Sequence, residues 1–169
     1  QMSKENEQLA AVGSRHMDSA KAFAREYDIP RYYDSYEALV NDPDVEAVYV
    51  ATPNSLHYEN CRLCLEHGKH VLCEKPMASN LKEAQEMFAE AEKQNLILLE
   101  GMRSIYAPSF QKMIPYMETL GTIRRATLQY CQYSSRYDNY KRGIVENAFK
   151  PELSNGALMD IGVYVVSCM

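Results

Sequence analysis

A chain of 169 residues, 46% hydrophobic and 24% charged, has the make-up of a globular protein of one or two domains. Its net charge of −5 argues against a general nucleic-acid or membrane surface. No apolar run approaches the roughly 20 residues that span a bilayer, no apolar leader follows the polar start, and the cysteines form no small-scaffold pattern, which suits reduced thiols in the cytoplasm.

Leu9 to Val12 is a short apolar run closed by Gly13-Ser14-Arg15, predicting a strand and its exit loop. Asp18 is the expected cap of a helix with Ala20, Phe23, Ala24 and Tyr27 on one face, ended by Ile29-Pro30. Tyr32-Tyr33 stands where a second strand would, and Ser35 starts a brief helix with Leu39 and Val40 on its apolar side. Val45 to Ala51 is the clearest buried strand. Thr52-Pro53-Asn54 closes it, and a helix from Ser55 to His67 stops at Gly68. His70 to Cys73 reads as the next strand; Pro76 lacks an N–H, ends the ladder and biases Lys75 toward extended geometry. Asn80 caps a long helix to Gln94 carrying Leu81, Ala84, Met87, Phe88 and Ala91, and Ile97 to Glu100 is a further strand.

Strands and helices alternate with short connections from Leu9 to Glu100, which implies right-handed βαβ units and a doubly wound parallel sheet. Lys75 then lies at the carboxyl end of a strand, where open α/β sheets bind ligands. After Met102 to Pro108 the texture changes. Phe110, Met113, Ile114, Met117 and Leu120 mark a helix kinked at Pro115 and ended by Gly121, and Thr122 to Arg136 has strand composition. Tyr137 to Leu153 is polar without a period and reads as loop. Two domains follow: 1–105 as a dinucleotide-type α/β domain, and 106–169 as the start of an α+β domain with a mainly antiparallel sheet. The chain stops inside an apolar run and reads as a piece of something longer.

Three motifs occur in order: Ala51-Thr52-Pro53-Asn54 with His57, Gly68 through Pro76, and Gly156-Ala157-Leu158-Met159-Asp160-Ile161-Gly162-Val163-Tyr164. Together they closely resemble the Gfo/Idh/MocA oxidoreductases, over nearly the whole chain, and most of all the branch of trans-dihydrodiol (or D-xylose) dehydrogenases and glucose-fructose oxidoreductase. That branch has a tyrosine where other members have a histidine, and Tyr164 holds the place. The resemblance implies a Rossmann-type fold and a set of roles. Lys75 would touch the nicotinamide ribose and the substrate hydroxyl, Asp160 would help hold the substrate, and Tyr164 would be the acid–base group. Thr52, Pro53, Asn54 and His57 would line the dinucleotide, with Glu74 beside it and Arg103 near the nicotinamide end. The family's first strand and Gly-rich phosphate loop would precede Gln1, so the chain alone is expected to bind dinucleotide poorly and to be inactive. The usual Gly-Gly before the Asp motif reads Asn155-Gly156.

The chemistry fits these roles. Hydride transfer at a carbinol carbon needs a partner for the hydroxyl proton, and a phenol serves near neutral pH only beside a cation that favours its anion. Lys75 would be that cation, and Asp160 would set the electrostatic balance. Against this, Tyr164 also reads as an ordinary core aromatic in an apolar run, and it is the family resemblance that favours the catalytic role. NAD enzymes of this fold place an acid at the end of the second strand. Here that strand runs into Gly13-Ser14-Arg15 with no acid before Asp18, so Ser14 and Arg15 are expected to hold a 2′-phosphate and NADP is expected over NAD.

Cys61, Cys64, His57, His67, His70 and Cys73 crowd one segment, yet Cys61 and Cys64 fall inside a helix with no second pair, so no metal site is expected. The stretch Tyr130, Tyr133, Tyr137, Tyr140 with Arg136, Lys141 and Arg142 suits either a substrate-side wall or a strand used in dimerisation. The expected protein is a cytoplasmic NADP-dependent oxidoreductase of a sugar, cyclic polyol or dihydrodiol, a homo-oligomer (dimer or tetramer) through its C-terminal sheet, without nucleic-acid or membrane partners. The alternative is a non-catalytic dinucleotide-sensing regulator of the same fold, which would have no need of a proton donor.

Overall fold

A computed structural model describes residues 8–169. The first half is an α/β succession: strand β1 (Ala11–Gly13), helix α1 (Met17–Glu26), β2 (Arg31–Tyr33), α2 (Tyr36–Val40), β3 (Ala47–Val50), α3 (His57–Glu66), β4 (His70–Cys73), α4 (Leu81–Lys93) and β5 (Leu98–Glu100). β1 pairs with β2 in parallel, with Val12 opposite Tyr32, and β3, β4 and β5 form a second sheet in that order. Among the described residues no ladder joins the two sheets.

Capping chemistry sets most helix ends. Ser35 accepts from the Ala38 N–H at 3.1 Å at the start of α2, and Asn80 accepts from the Glu83 N–H at 3.1 Å at the start of α4. Gly68, at φ +72°, closes α3 as expected of a left-handed terminal residue. Asp18 is not a cap: α1 begins one residue earlier, after His16, and Asp18 lies in the first turn, where its charge still suits the helix dipole. The apolar faces are also narrower than their periodicity predicts. Ala20 and Ala24 of α1 are buried while Phe23 and Tyr27, half exposed, pack their rings against each other at a tilt; Met87 and Ala91 of α4 are buried while Leu81 and Phe88 are exposed.

Compact packing divides the chain into two units. The first comprises residues up to Val50 with Glu59–Leu72 and Gln85–Leu98. Its polar centre is Asp42, nearly fully buried. Asp42 accepts from the Tyr33 hydroxyl at 2.9 Å and the Asp44 N–H at 2.9 Å, and pairs with Arg31 at 3.2 Å. The Asp42 carbonyl takes the buried Lys69 ammonium at 2.9 Å. The Asp44 N–H and the Tyr33 hydroxyl, with the Arg31 and Lys69 cations, hold the Asp42 carboxyl below its usual range against the opposing effect of burial.

The second unit comprises Ala51–Tyr58, Cys73–Ala84 and Leu99–Met169. It holds α5 (Arg103–Tyr106), α6 (Pro108–Met117), α7 (Tyr137–Lys141), and a π-helical turn (Leu158–Gly162) that runs into α8 (Val163–Val166). α6 continues through Pro115, and Gly121, at φ +72°, follows one 3-10 turn later. Thr122 to Arg136 forms no strand: its side chains are almost all exposed and no second strand lies beside it among the described residues. Strand-forming composition yields a ladder only where a partner edge accepts it. The polar stretch 137–153, expected to be loop, contains α7 and two 3-10 turns. No helix among the described residues is long and apolar enough to cross a membrane.

Candidate active site

All of the site's geometry falls within the second unit. The segment after β4 is held by backbone and carboxylate. The Gly101 N–H donates to the Cys73 carbonyl at 2.7 Å, and the Met77 N–H donates to Glu100 Oε1 at 2.8 Å. A Cβ on Gly101 would stand 3.3 Å from that Cys73 oxygen, so the close approach suits glycine. The Lys75–Pro76 bond between these two anchors is cis. Glu74 Oε2 accepts from the Lys75 N–H at 3.1 Å.

Lys75 is thereby presented with its ammonium on the C-terminal segment. Nζ donates to the Asp160 carbonyl at 2.6 Å and to Asp160 Oδ1 at 2.8 Å. Its side chain is only 14% exposed and that of Asp160 34%. An ammonium has three N–H donors, so one remains for a further acceptor. The same Nζ lies 4.8 Å from the centre of the Tyr164 ring, whose other contact is a stack on Tyr130 at 5.2 Å. The cation therefore lies against the ring of Tyr164.

The turn that carries Asp160 is anchored at its start. Asn54 Nδ2 donates to the Ser154 carbonyl at 3.1 Å and to Asn155 Oδ1 at 2.8 Å, and the Ser79 and Ser154 hydroxyls meet at 2.6 Å. Gly156, at φ +119°, then turns the chain, and its carbonyl accepts from the Asp160 N–H at 2.9 Å. Asn155, where the related motif has glycine, thus makes a side-chain bond of its own. The π-helical turn that follows alters the helical phase between Asp160 and Tyr164, and such turns recur at functional sites.

A cleft of about 590 Å³ opens here. One wall is Thr52, Pro53, Asn54 and His57, and another is Glu74, Lys75, Asn155 and Asp160. Seven of the residues singled out from the sequence are brought together in this cleft, and Tyr164 adjoins it through Lys75. Ser14 and Arg15 are in the first unit, directly after β1: the Ser14 N–H donates to the Tyr33 carbonyl at 3.0 Å, and Arg15 is exposed. Arg103 is the exposed first residue of α5 and does not line the cleft.

Arg136, Glu146, Asn147 and Ala148 line the remaining wall. Glu146 accepts from Asn139 at 2.7 Å and pairs with Arg136 at 3.5 Å. Arg136 belongs to the tyrosine-rich stretch that the sequence offers as a substrate-side wall or a dimerisation strand. Glu146 to Ala148 sit in a polar run with no periodicity to single them out.

His57 has no accessible surface. Its Nδ1 lies 2.8 Å from the Pro76 carbonyl oxygen and its Nε2 2.8 Å from the Thr52 carbonyl oxygen. Burial works against the charged ring. The Cys73 side chain and the two carbonyls outweigh it, and the imidazole is held above its ordinary range. Cys73 Sγ also lies 3.8 Å from the Met77 carbonyl.

Comparison with known proteins finds a model of an oxidoreductase family, with an NAD-binding Rossmann fold, that matches residues 1–102. The chain is 46% identical over 162 residues to a scyllo-inositol 2-dehydrogenase (NADP(+)) of Bacillus subtilis, covering 96% of this chain and 49% of that protein. It is 35% identical over 161 residues to a trans-1,2-dihydrobenzene-1,2-diol dehydrogenase of Xenopus tropicalis, covering 94% and 46%. Among solved structures it resembles a 3-ketoreductase from Actinomadura kijaniata in complex with TDP-benzene and NADP. The TM-score is 0.60 at 35% identity, over 68% of this chain and 35% of the other. The chain spans about half the length of the curated relatives it matches.

Proposed function

The chain belongs to the Gfo/Idh/MocA oxidoreductase family, and from that premise we propose an NADP-dependent enzyme that oxidises or reduces a CH–OH carbon of a sugar, cyclic polyol or dihydrodiol. The observation that carries the proposal is Lys75. Its ammonium donates two bonds to Asp160, keeps one N–H to offer, and stands against Tyr164 at the edge of a polar cleft.

The chain's residues divide the work as follows. Lys75 donates its remaining N–H to the substrate oxygen and stabilises the negative charge that develops there as the C–H bond breaks. Asp160 fixes the direction of that donor and keeps the site near electroneutrality. Tyr164 takes the hydroxyl proton in oxidation and returns it in reduction. Arg136 and Glu146 offer a donor and an acceptor side by side, a pairing suited to neighbouring hydroxyls of a polyol. The nicotinamide supplies or accepts the hydride when bound.

The residues suit NADP. At the end of β1 the Ser14 oxygen accepts from the His16 N–H at 3.3 Å, leaving its own O–H to donate. Arg15 beside it is an exposed guanidinium fork, matched to a phosphate. Thr52, Pro53, Asn54 and Glu74 would hold the rest of the dinucleotide, and Arg103 is assigned to its nicotinamide end. In the same reading residues 1–105 are the dinucleotide domain and 106–169 begin a substrate domain. The protein is cytoplasmic and forms a homo-oligomer through the C-terminal part.

The test is turnover by the full-length protein against a panel of inositols, aldoses and cyclic diols, followed by the absorbance of the reduced nicotinamide. NADP-dependent turnover of at least one of them is the expected result. Dinucleotide binding without turnover of any member would overturn the proposal in favour of a sensor.

A further inference from the structure

We propose that His57 is a positioning residue of this site, held as an imidazolium that clamps the loop after β3 to the loop bearing Lys75. Both ring nitrogens face carbonyl oxygens at 2.8 Å, Pro76 on one side and Thr52 on the other. A carbonyl only accepts, and a neutral imidazole has only one N–H to give. In the neutral ring one nitrogen would turn a lone pair toward an oxygen lone pair. The cation satisfies both contacts at once, with charge-assisted bonds.

The ring has no accessible surface, so water cannot stand in for either partner. Burial would ordinarily favour the neutral form. The Cys73 side chain at the end of β4 and the Pro76 and Thr52 carbonyls offset this. Glu74 follows on the same loop, and the Lys75 cation beyond it is already matched by Asp160. Glu100 accepts the Met77 N–H at the other end of that loop, and Cys61 lies one turn further along α3.

The clamp's two ends have different consequences. Pro76 follows Lys75 directly, so the Nδ1 bond fixes where the lysine leaves the sheet. Thr52 begins the wall formed by Pro53 and Asn54, so the Nε2 bond fixes that wall. His57 acts through both and need not touch substrate or cofactor. The charge assignment stands independently of the proposed oxidoreductase reading; the effect on turnover rests on it.

The experiment has two arms. Nitrogen-15 NMR of the histidine-labelled protein reads the ring directly. The expected result is one imidazolium, with both nitrogens protonated, persisting at pH 7.5 and above, where a free histidine of ordinary pKa, about 6.5, is neutral. A neutral tautomer at pH 7 would overturn the proposal whatever the enzyme does. The second arm compares H57N and H57Q, whose amides can each replace one of the two bonds, at Pro76 and at Thr52 respectively. Each is expected to fold, to lower kcat about tenfold with little change in KM, and to lose the decline in kcat expected of the parent as alkaline pH discharges the ring. Hydrogen exchange of the Lys75 and Met77 amides is expected to speed up in H57Q and less in H57N. Unchanged kcat with an unchanged alkaline limb, or unchanged exchange in both variants, would refute the positioning role.

Discussion

Lys75 and Asp160 offer the sharpest test, because the structure pairs them directly. Replacing Lys75 by Met keeps the bulk of the stem and removes the ammonium that sits 2.8 Å from Asp160 Oδ1. Loss of one well-placed electrostatic group costs on the order of 10² to 10³ in rate. Asp160→Asn is milder. The carbonyl bond to Nζ at 2.6 Å survives, and only the charged acceptor is lost. A hydrogen bond to a charged group contributes about 1.5–3 kcal/mol. With Asp160 at 34% exposure, solvent screening favours the lower end, or roughly tenfold in kcat. The double variant is expected to be no worse than Lys75→Met alone, since Asp160 acts by aiming an ammonium that is no longer there. The assay is kcat and kcat/KM at saturating NADP, followed by nicotinamide absorbance, with thermal melts to control for folding. Losses that multiply in the double variant would refute the reasoning, because Asp160 would then act independently of Lys75.

Tyr164→Phe should lower kcat by about 10² or more while leaving the melting temperature nearly unchanged, because the ring keeps its stack on Tyr130; steady-state kinetics and calorimetry check both halves. Arg15→Ala should erase most of an expected preference for NADP over NAD of about tenfold, or about 1.4 kcal/mol, chiefly through the KM for NADP measured beside that for NAD. Asp42→Asn should lower the urea midpoint at neutral pH by removing the carboxylate that gathers Arg31, Tyr33 and the Asp44 N–H. Because the folded-state pKa of Asp42 is depressed, its contribution is present above its ordinary value of 3.8 and is lost as the pH falls through and below it; the variant's midpoint should vary less with pH in that range.

How much of this was legible in the sequence depends on what each residue needs in order to declare itself. Ser35, Asn80 and Gly68 act through their own backbone neighbourhood, so their capping roles could be read directly. The Lys75 strand end and the Asp160 turn were legible because their motifs are contiguous. Asp18 misled by two residues, since an acid in the first turn and an acid at the cap leave similar traces. Thr122 to Arg136 has strand residues without a strand partner, and pairing is a property of two segments. Glu146 to Ala148 reach the cleft through a succession of short turns, a path no periodicity records. The burial of His57 between two carbonyls also escaped, because main-chain acceptors carry no residue identity.

The cleft's cross-links join positions far apart in the chain: Lys75 to Asp160 across 85 residues, Ser79 to Ser154 across 75, and Asn54 to Asn155 across 101. Such closures are among the last to be gained as a chain folds, since the entropy of each loop must be lost before its contact returns anything. During synthesis, Lys75 leaves the ribosome more than eighty residues ahead of the carboxylate that receives it. At a pace of about 5–20 residues per second, its ammonium waits several seconds for its counter-charge. The elements of β1 to α2 close over far shorter distances and can be in place by then. The cleft therefore forms after the elements of β1 to α2, and a dinucleotide that required it could act only once Asp160 had emerged.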